Sequence, residues 1–509
     1  MLRRSSLDDR SGHQQPVEGD RRRWLALVVL CVGMLMIVLD QTIVNVALPS
    51  IKDDLGFSQS SLAWIVNAYL IAFGGLLLLA GRLGDLIGRR RVFMIGLGVF
   101  TGASLLCGVA QSQGVLIGAR FAQGVGGALT SAVILGMIVT MFPEPREQAK
   151  AIGVYSFVAS AGASIGLLAG GILTEALNWH WIFFVNLPIG VATALVAARL
   201  VEKDEGSGLG DGADVLGAVL VTAALMLGVY TILEAGEYGW ASSHTLGFGA
   251  LSLALLAGFL VREARTAKPL IPLGIFRSRN VAGANIVQAL MVAGLFGIFF
   301  LGSLYMERVL GYDALEIGLA FLPVALLIGA LSLGFSARLN TRFGAKATLV
   351  PGLALLAAGL VIFTQAPVDG SYISDVLPVM ILLGIGAGLS FPSLMTLAMS
   401  GATEKDSGLA SGLVNTSLQV GGALGLAVLA TLSTTRSDDL LASGEPAASA
   451  LTSGYQLAFA IGAGLVIAAI AVALAMLRSE EEDDAVAEAV EDDRAEAELA
   501  RPEPAYEAA

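Results

Sequence analysis

Apolar stretches long enough to cross a lipid bilayer recur along almost the whole of this chain. About 20 helical residues span a hydrocarbon core of roughly 30 Å, because each residue adds about 1.5 Å. We expect such helices at fourteen places: 24–48, 60–80, 92–112, 115–139, 151–175, 181–201, 215–236, 245–262, 281–305, 315–336, 347–366, 374–397, 407–431 and 455–477. Only 14% of the residues are charged, against about 25% in soluble proteins. The sequence therefore predicts an all-α, polytopic membrane protein.

The positions of the Lys and Arg residues predict how these helices cross the membrane. If the amino terminus is cytoplasmic, all but four of the 30 Lys and Arg residues lie in segments on the inner side. The exceptions are Lys52, Arg120, Arg308 and Arg436. Because cytoplasmic loops collect basic residues, this asymmetry favours an even number of spans with both termini in the cytoplasm.

A short basic loop at 81–91, between the second and third runs, has a weaker copy later in the chain. The copy at 337–346 follows the tenth run and carries Thr341 where the first loop carries Asp85. Such an internal repeat predicts two six-helix bundles, at 24–201 and 281–477, separated by an inserted helix pair with its linkers at 202–280. The remaining segments are an amino-terminal tail at 1–23 and an acidic tail at 478–509, both predicted to be cytoplasmic.

Two charged residues lie inside apolar runs, Asp40 in the first and Arg120 in the fourth. A charge within a span costs several kcal/mol unless it is paired, hydrated or neutralised, so it indicates function. Helical rise places Asp40 about 24 Å from the inner face and Arg120 roughly 8 Å from the outer face, which are matching depths. Since a guanidinium does not deprotonate, Asp40 is the group we expect to exchange protons. An interfacial position for Asp40 and a permanent structural ion pair stay open as alternatives.

The loop Gly81-Arg82-Leu83-Gly84-Asp85-Leu86-Ile87-Gly88-Arg89-Arg90 resembles the signature loop of the major facilitator superfamily, where it acts as a conformational latch. The resemblance implies that Asp85 faces the amino end of a helix from the other half of the protein, near Ser407, where the helix dipole favours a negative charge. The latch residues are Gly81, Asp85, Gly88, Arg89 and Arg90. The alternative is a basic membrane anchor in which Asp85 is incidental.

Glycines of the fifth run are similar to the antiporter motif of the same superfamily, Gly-x-x-x-Gly-Pro-x-x-Gly-Gly. The matching residues are Gly162, Gly166, Gly170 and Gly171, and Leu167 replaces the proline. Glycines that only pack helices together are the alternative. The sequence at 179–183, Trp-His-Trp-Ile-Phe, also resembles the fourteen-helix branch. Together these segments are similar to the fourteen-helix drug:proton antiporters (EmrB/QacA type).

Polar residues within the runs are candidates to line a central cavity. The candidates for a substrate cavity are Asn45, Gln123, Asn285, Gln288, Asn415 and Gln419, and the sequence does not fix which of them contact a substrate.

The sequence has none of the motifs that would indicate an enzyme. It contains no phosphate-binding Gly-x-x-x-x-Gly-Lys-Ser/Thr loop, and its three His and two Cys form no metal-ligand cluster. We therefore expect no cofactor, no metal and no nucleic-acid partner. The family resemblance implies a transporter of the cell membrane that works by alternating access and uses the proton gradient to export amphipathic, often cationic compounds. Two alternatives stay open: a dedicated exporter of one metabolite or antibiotic, and a non-transporting membrane sensor or scaffold.

Overall fold

The structure, a computed structural model, describes residues 16–204, 206, 208, 214–267, 269–400 and 407–478. Within these ranges every regular element is a helix. The helices of the first half are α1 (Pro16–Leu55), α2 (Gln59–Ile87), α3 (Arg89–Gly108), α4 (Gln113–Met141), α5 (Pro145–Ala176), α6 (Trp181–Phe184) and α7 (Asn186–Leu200). The short helix α6 and the longer α7 share the sixth apolar run and meet at Val185, whose backbone is itself helical.

Two helices, α8 (Val215–Tyr238) and α9 (Ser243–Arg265), follow the first half. A 3-10 turn at Leu273–Arg277 leads into the second half. Its helices are α10 (Arg279–Arg308), α11 (Ala314–Ala330), α12 (Ser336–Phe343), α13 (Ala345–Phe363), α14 (Leu377–Ser400), α15 (Ser407–Ala442) and α16 (Ala447–Met476). A π-helical turn at Leu331–Phe335 joins α11 to α12, and another at Tyr372–Val376 leads into α14.

The surface of the described helices is apolar, as a bilayer requires. Leu195, Leu246 and Leu253 are 64%, 61% and 68% exposed, which would be unfavourable in water on so many neighbouring helices. Twelve helices of the described part are long and apolar enough to cross a membrane, and two further apolar stretches, Ile165–Ala176 and Ala314–Ala330, are shorter. The chain is therefore an integral membrane protein, and the number of fourteen spans stays a prediction.

The two repeated loops, at 81–91 and 337–346, each contain a glycine with positive φ at the junction of two helices. Gly88 joins α2 to α3 with φ +96°, and Gly344 joins α12 to α13 with φ +85°. Both values lie in the left-handed region that only glycine adopts without strain, so each helix can end and the next begin at a single residue. These loops lie at the same end of the helices as Arg23, and we call this end the basic face. The other end, which carries residues 52–58 and 306–313, is the opposite face.

The two halves meet along two pairs of helices. Gly74 of α2 lies against Gln419 of α15, and Gly171 of α5 lies against Ala314 of α11. The inserted helix α8 contacts both halves, since Thr222 lies beside Gly75 and Thr431 Oγ1 of α15 donates to the carbonyl of Ile232 at 3.1 Å. The inserted pair is thus packed against the line where the halves meet.

Buried ion pairing ties α8 to α9 at the basic face. Asp214 caps α8 by accepting from the N–H of Gly217 at 2.8 Å, and its carboxylate also binds Arg262 Nε at 2.6 Å. Glu263 accepts from the N–H of Ile271 at 2.8 Å, so the segment after α9 folds back over the pair. Both carboxylates are at least nine-tenths buried. These contacts fix the start of α8 and the approach to α10.

Candidate functional site

Asp40 lies on α1 in the interior of the first bundle, and its side chain is 0% exposed. Its Oδ2 is 2.5 Å from Arg120 Nη1. Its Oδ1 accepts from Gln123 Nε2 at 2.9 Å and from Asn186 Nδ2 at 2.8 Å. Three donors from two other helices therefore converge on one buried carboxylate. The structure thus brings Asp40 and Arg120 together, and both side chains are buried among the helices of the first bundle.

Arg120 of α4 has polar and aromatic contacts around its guanidinium. It is 1% exposed. Its Nε donates to the carbonyl of Ile65 on α2 at 2.9 Å, and the ring of Tyr69 lies 4.5 Å below the guanidinium carbon. The aromatic face stabilises the cation through its quadrupole, and burial strengthens that attraction. The guanidinium consequently connects α1, α2 and α4.

Gln123, which the sequence places among the candidate cavity residues, belongs to this charged cluster in the structure. It is 0% exposed. It follows Arg120 by one helical turn, so both side chains leave the same face of α4. Its Oε1 accepts from Arg120 Nη1 at 2.8 Å, while its Nε2 also donates to Ser104 Oγ on α3 at 2.8 Å. Gln123 therefore orients the guanidinium and the carboxylate at once.

Asn186 is a site residue that the sequence reasoning missed. It is the first residue of α7, directly after Val185, whose backbone is itself helical, and its amide donates to Asp40. The available signal was a lone amide in an apolar run. Asn67 was missed in the same way, since it is 0% exposed and both of its amide atoms lack a hydrogen-bond partner among the described residues.

The chemistry of this cluster follows from one carboxylate and one guanidinium in a buried site. Moving each ion out of water costs several kcal/mol, and the pair offsets this only while both charges are present and hydrogen-bonded. A proton on Asp40 would leave the guanidinium of Arg120 without its counter-charge. Such a loss of one partner costs about 3–5 kcal/mol. The cluster can therefore convert proton binding into a large preference for another arrangement of α1 and α4.

The antiporter-motif glycines pack mainly against α1, beside Asp40. A Cβ at Gly162 would lie 3.2 Å from Val38 Cβ, and one at Gly170 would lie 2.7 Å from the carbonyl oxygen of Ile43. Gly171 instead faces the other half, where a Cβ would lie 2.8 Å from the carbonyl oxygen of Ala314. The motif therefore lets α5 approach the helix that carries Asp40 and also the second bundle.

We expect Gly166→Ala to lower the free energy of unfolding by about 1–3 kcal/mol, as overpacking of a tight interface does. The added methyl group would collide with Thr42 Oγ1 and lie 2.8 Å from the carbonyl oxygen of Leu39. Unfolding of the purified protein in detergent measures the change. Gly118→Ala is the matched control, since no atom lies within 4 Å of its Cβ position. Equal stability of the two variants would contradict this role of Gly166.

The signature loop has contacts both within the first bundle and with the linker that follows it. Asp85 Oδ1 is 3.2 Å from Arg89 Nη2, and Arg89 Nη1 also donates to the carbonyl of Gly136 at 2.9 Å. The carboxylate of Asp204, in the linker before α8, accepts from the backbone N–H groups of Arg89 and Arg90 at 2.6 and 3.1 Å. An acidic side chain therefore occupies the amino end of α3, as the helix dipole favours. This contribution of Asp204 was not predicted.

The remaining latch residues have individual places. A Cβ at Gly81 would meet no atom within 4 Å, whereas one at Gly88 would lie 2.8 Å from the carbonyl oxygen of Asp204. Arg90 Nη2 donates to the carbonyl of Ala198 at 2.5 Å. Asp85 was predicted to face the amino end of a helix near Ser407, where α15 begins. This helix end adjoins residues 401–406, which lie outside the described residues, so the latch stays a prediction.

The candidate cavity residues of the second half lie on α10 and α15. Asn285 donates to the carbonyl of Val281 at 2.8 Å and accepts from Ser417 Oγ at 2.8 Å. Gln288 is 1% exposed, and both of its amide atoms lack a hydrogen-bond partner among the described residues. Oε1 of Gln419 also lacks a hydrogen-bond partner among the described residues. Because buried polar groups are normally satisfied, these amides are ready to bind a polar ligand or water.

The other two candidates are less informative. Asn45 donates to the carbonyl of Gln41 on its own helix at 3.2 Å. Asn415 is exposed. Among the described residues, no group of three or more His, Cys, Asp or Glu side chains could hold a metal ion.

Comparisons with known proteins give consistent matches. The model of the Major Facilitator Superfamily matches residues 30–426. The chain is 39% identical to the puromycin resistance protein pur8 of Streptomyces alboniger, over 91% of this chain and 94% of that protein. It is 38% identical to the cephamycin export protein CmcT of Amycolatopsis lactamdurans, over 88% of this chain and 91% of that protein. The fold resembles that of a bacterial homologue of the human lysosomal transporter Spinster, with a TM-score of 0.64 at 14% identity, over 89% and 96% of the two chains.

Proposed function

The chain belongs to the major facilitator superfamily, and from that premise we propose that it is a proton-coupled efflux transporter for amphipathic, drug-like molecules. The observation that carries the proton coupling is the fully buried pair of Asp40 and Arg120. An ionisable pair inside a membrane bundle is costly and marks a proton or ion pathway. The two relatives named for puromycin resistance and cephamycin export support the export of small molecules.

The proposed cycle is alternating access with Asp40 as the proton carrier. In the state open to the outside, Asp40 binds a proton and its attraction to Arg120 weakens. The bundles then rock, and the cavity becomes accessible from the basic face, which we assign to the cytoplasm because basic loops stay inside. There the loss of the proton restores the ion pair, and a substrate enters. The proton gradient therefore drives export, and the chain needs no cofactor or catalytic group of its own.

The opposite face is closed by contacts between the halves, which supports this cycle. Arg308 at the end of α10 binds Asp53 at the end of α1, with 2.6 Å between Nη2 and Oδ1. Gly171 and Ala314 also meet near this face. In the proposed cycle these contacts open before a proton from outside reaches Asp40.

Arg308→Gln is expected to favour the conformation in which the opposite face is open. The population of this conformation, relative to the one in which the face is closed, should rise by a few-fold. The pair is partly exposed, at 30% for Arg308 and 65% for Asp53, and such pairs contribute about 0.2–1 kcal/mol. Spin labels on Gln111→Cys and Val368→Cys, in a background without the native cysteines, report the distance across this face. Arg436→Gln is the control, because Arg436 contacts Ser453 within its own half at 3.3 Å. If Arg308→Gln and Arg436→Gln change the distance distribution equally, the Arg308–Asp53 pair does not close the opposite face.

A dedicated exporter of one antibiotic is the second candidate, because the relatives named above each carry the name of a single compound or compound class. The Asp40 cluster is common to both candidates, so only the range of substrates separates them. Purified protein in proteoliposomes with an imposed pH gradient tests both proposals. Gradient-driven movement of puromycin, a cephamycin and several unrelated dyes supports the multidrug exporter. Movement of one compound supports the dedicated exporter, and movement that is indifferent to the gradient contradicts proton coupling.

A further inference from the structure

We propose that a pocket at the basic face, between the start of α10 and the end of α16, binds the phosphate of an anionic phospholipid. The pocket has a volume of about 330 Å³ and is lined by Arg277, Ser278, Arg279, Asn280 and Arg478. Of the lining residues that the structure describes, Arg277, Arg279 and Arg478 carry a guanidinium group and none carries a carboxylate. This inference requires only that the chain lies in a membrane, and it does not depend on the export function.

The walls of the pocket are fixed by contacts between α10 and α16. Asn280 is 4% exposed, and its Oδ1 accepts from the backbone N–H of Arg478 at 2.8 Å. Gly283, one turn further along α10, lies so close to α16 that a Cβ would be 3.1 Å from Met476 Cβ. The backbones that carry the three arginines are therefore held side by side.

The chemistry of this pocket suits a phosphate. A guanidinium presents a planar fork of N–H groups that matches two phosphate oxygens. Ser278 caps α10 by accepting from the N–H of Val281 at 3.3 Å, so the positive end of a 30-residue helix also points toward the pocket. Basic pockets between membrane helices on the cytoplasmic side are places where anionic lipid headgroups bind.

Neighbouring apolar side chains favour a lipid over free phosphate. Leu273 and Phe276 lie on the 3-10 turn directly before the pocket and are 38% and 39% exposed. In the same turn Arg277 is also exposed. Exposed apolar side chains beside arginines are typical of a segment that lies in the membrane interface. The pocket can thus hold a headgroup while Leu273 and Phe276 contact its acyl chains.

The test measures lipid retention by the full chain. After delipidation in detergent, phosphatidylglycerol or phosphatidylcholine is added, and the bound lipid is counted by native mass spectrometry. We expect the wild type to retain phosphatidylglycerol selectively, and the double variant Arg277→Gln, Arg279→Gln to bind it about 30-fold more weakly, at about 1 kcal/mol for each arginine. The matched control is Arg338→Gln, Arg342→Gln, which removes two arginines of α12 at the same face, outside the pocket.

Three outcomes would overturn the proposal. Equal loss of phosphatidylglycerol in the pocket variant and the control would indicate general attraction to a basic surface. Displacement of the lipid by about 10 mM inorganic phosphate would assign the pocket to a soluble phosphate. The segment 479–509 holds 13 Asp and Glu residues. Lipid binding that appears only after this segment is deleted would assign the pocket to the acidic tail. Unchanged thermal unfolding in phosphatidylcholine shows that the pocket variant is folded.

Discussion

Asp40→Asn is expected to abolish proton-driven export, with a loss of about 100-fold or more in the gradient-dependent rate, while the protein still inserts and binds substrate. Asparagine keeps the size of the side chain and can still accept hydrogen bonds from Gln123 and Asn186, which contact Asp40 at 2.9 and 2.8 Å. It cannot bind and release a proton at physiological pH. Replacing a group that must bind and release a proton by one that cannot do so typically lowers the rate by about 100-fold or more.

Two assays separate coupling from general damage in Asp40→Asn. Uptake into inverted vesicles with an imposed pH gradient measures coupled transport, and exchange of labelled for unlabelled substrate without a gradient measures movement that needs no net proton transfer. We expect the first to disappear and the second to persist. Glu445→Gln is the control, because Glu445 is an exposed carboxylate in the loop between α15 and α16 and is not part of the cluster around Asp40. Full gradient-driven uptake by Asp40→Asn would refute the assignment of Asp40.

Arg120→Gln is expected to destabilise the folded protein by about 3–5 kcal/mol, since it leaves a buried carboxylate without its counter-charge. The substitution also removes the Nε contact to Ile65 and the stacking on Tyr69, at 2.9 and 4.5 Å. In the double variant Asp40→Asn, Arg120→Gln both charges are absent, so most of the loss should be recovered. Transport should not recover, because no group is left that exchanges the proton.

A double-mutant cycle measures this coupling from the unfolding of four proteins in detergent. The comparison pair is Asp85 and Arg89, in which Asp85 Oδ1 lies 3.2 Å from Arg89 Nη2. The side chains of this pair are 51% and 34% exposed. We expect a coupling energy of several kcal/mol for the buried pair and less than about 1 kcal/mol for the exposed pair. Similar coupling energies for the two pairs would show that burial does not strengthen the interaction between Asp40 and Arg120.

The sequence predicted the pairing of Asp40 and Arg120 because depth along a membrane helix is simple arithmetic. Each residue adds a constant rise, and a buried charge requires a partner at its own depth. The same reasoning places Gln123 one turn from Arg120, but it does not say whether that face points into a cavity or into the bundle. Only the packing of α3 and α4 decides this, and it places Gln123 at Ser104.

Contacts between segments that are distant in the chain could not be predicted from periodicity. Asn186 reaches Asp40 because α7 packs against α1, and an apolar pattern does not show which face of one helix meets which neighbour. Asp204 reaches the amino end of α3 because the linker before α8 returns to the signature loop, where the N–H of Gly208 donates to the carbonyl of Leu86 at 3.0 Å. Apolar patterns predict where helices lie and not where a linker returns. The two glycine loops, by contrast, were recognisable in advance because Gly88 and Gly344 occupy the same place in both repeats.

Proton release on substrate binding tests most directly whether Asp40 is the proton carrier. Purified protein in weakly buffered detergent solution is mixed with a transported substrate, and a pH-sensitive dye follows the protons set free. The wild type should release protons in proportion to the substrate bound, and Asp40→Asn should bind substrate and release none. Equal release by the wild type and Asp40→Asn would show that the exchanged proton resides on another group.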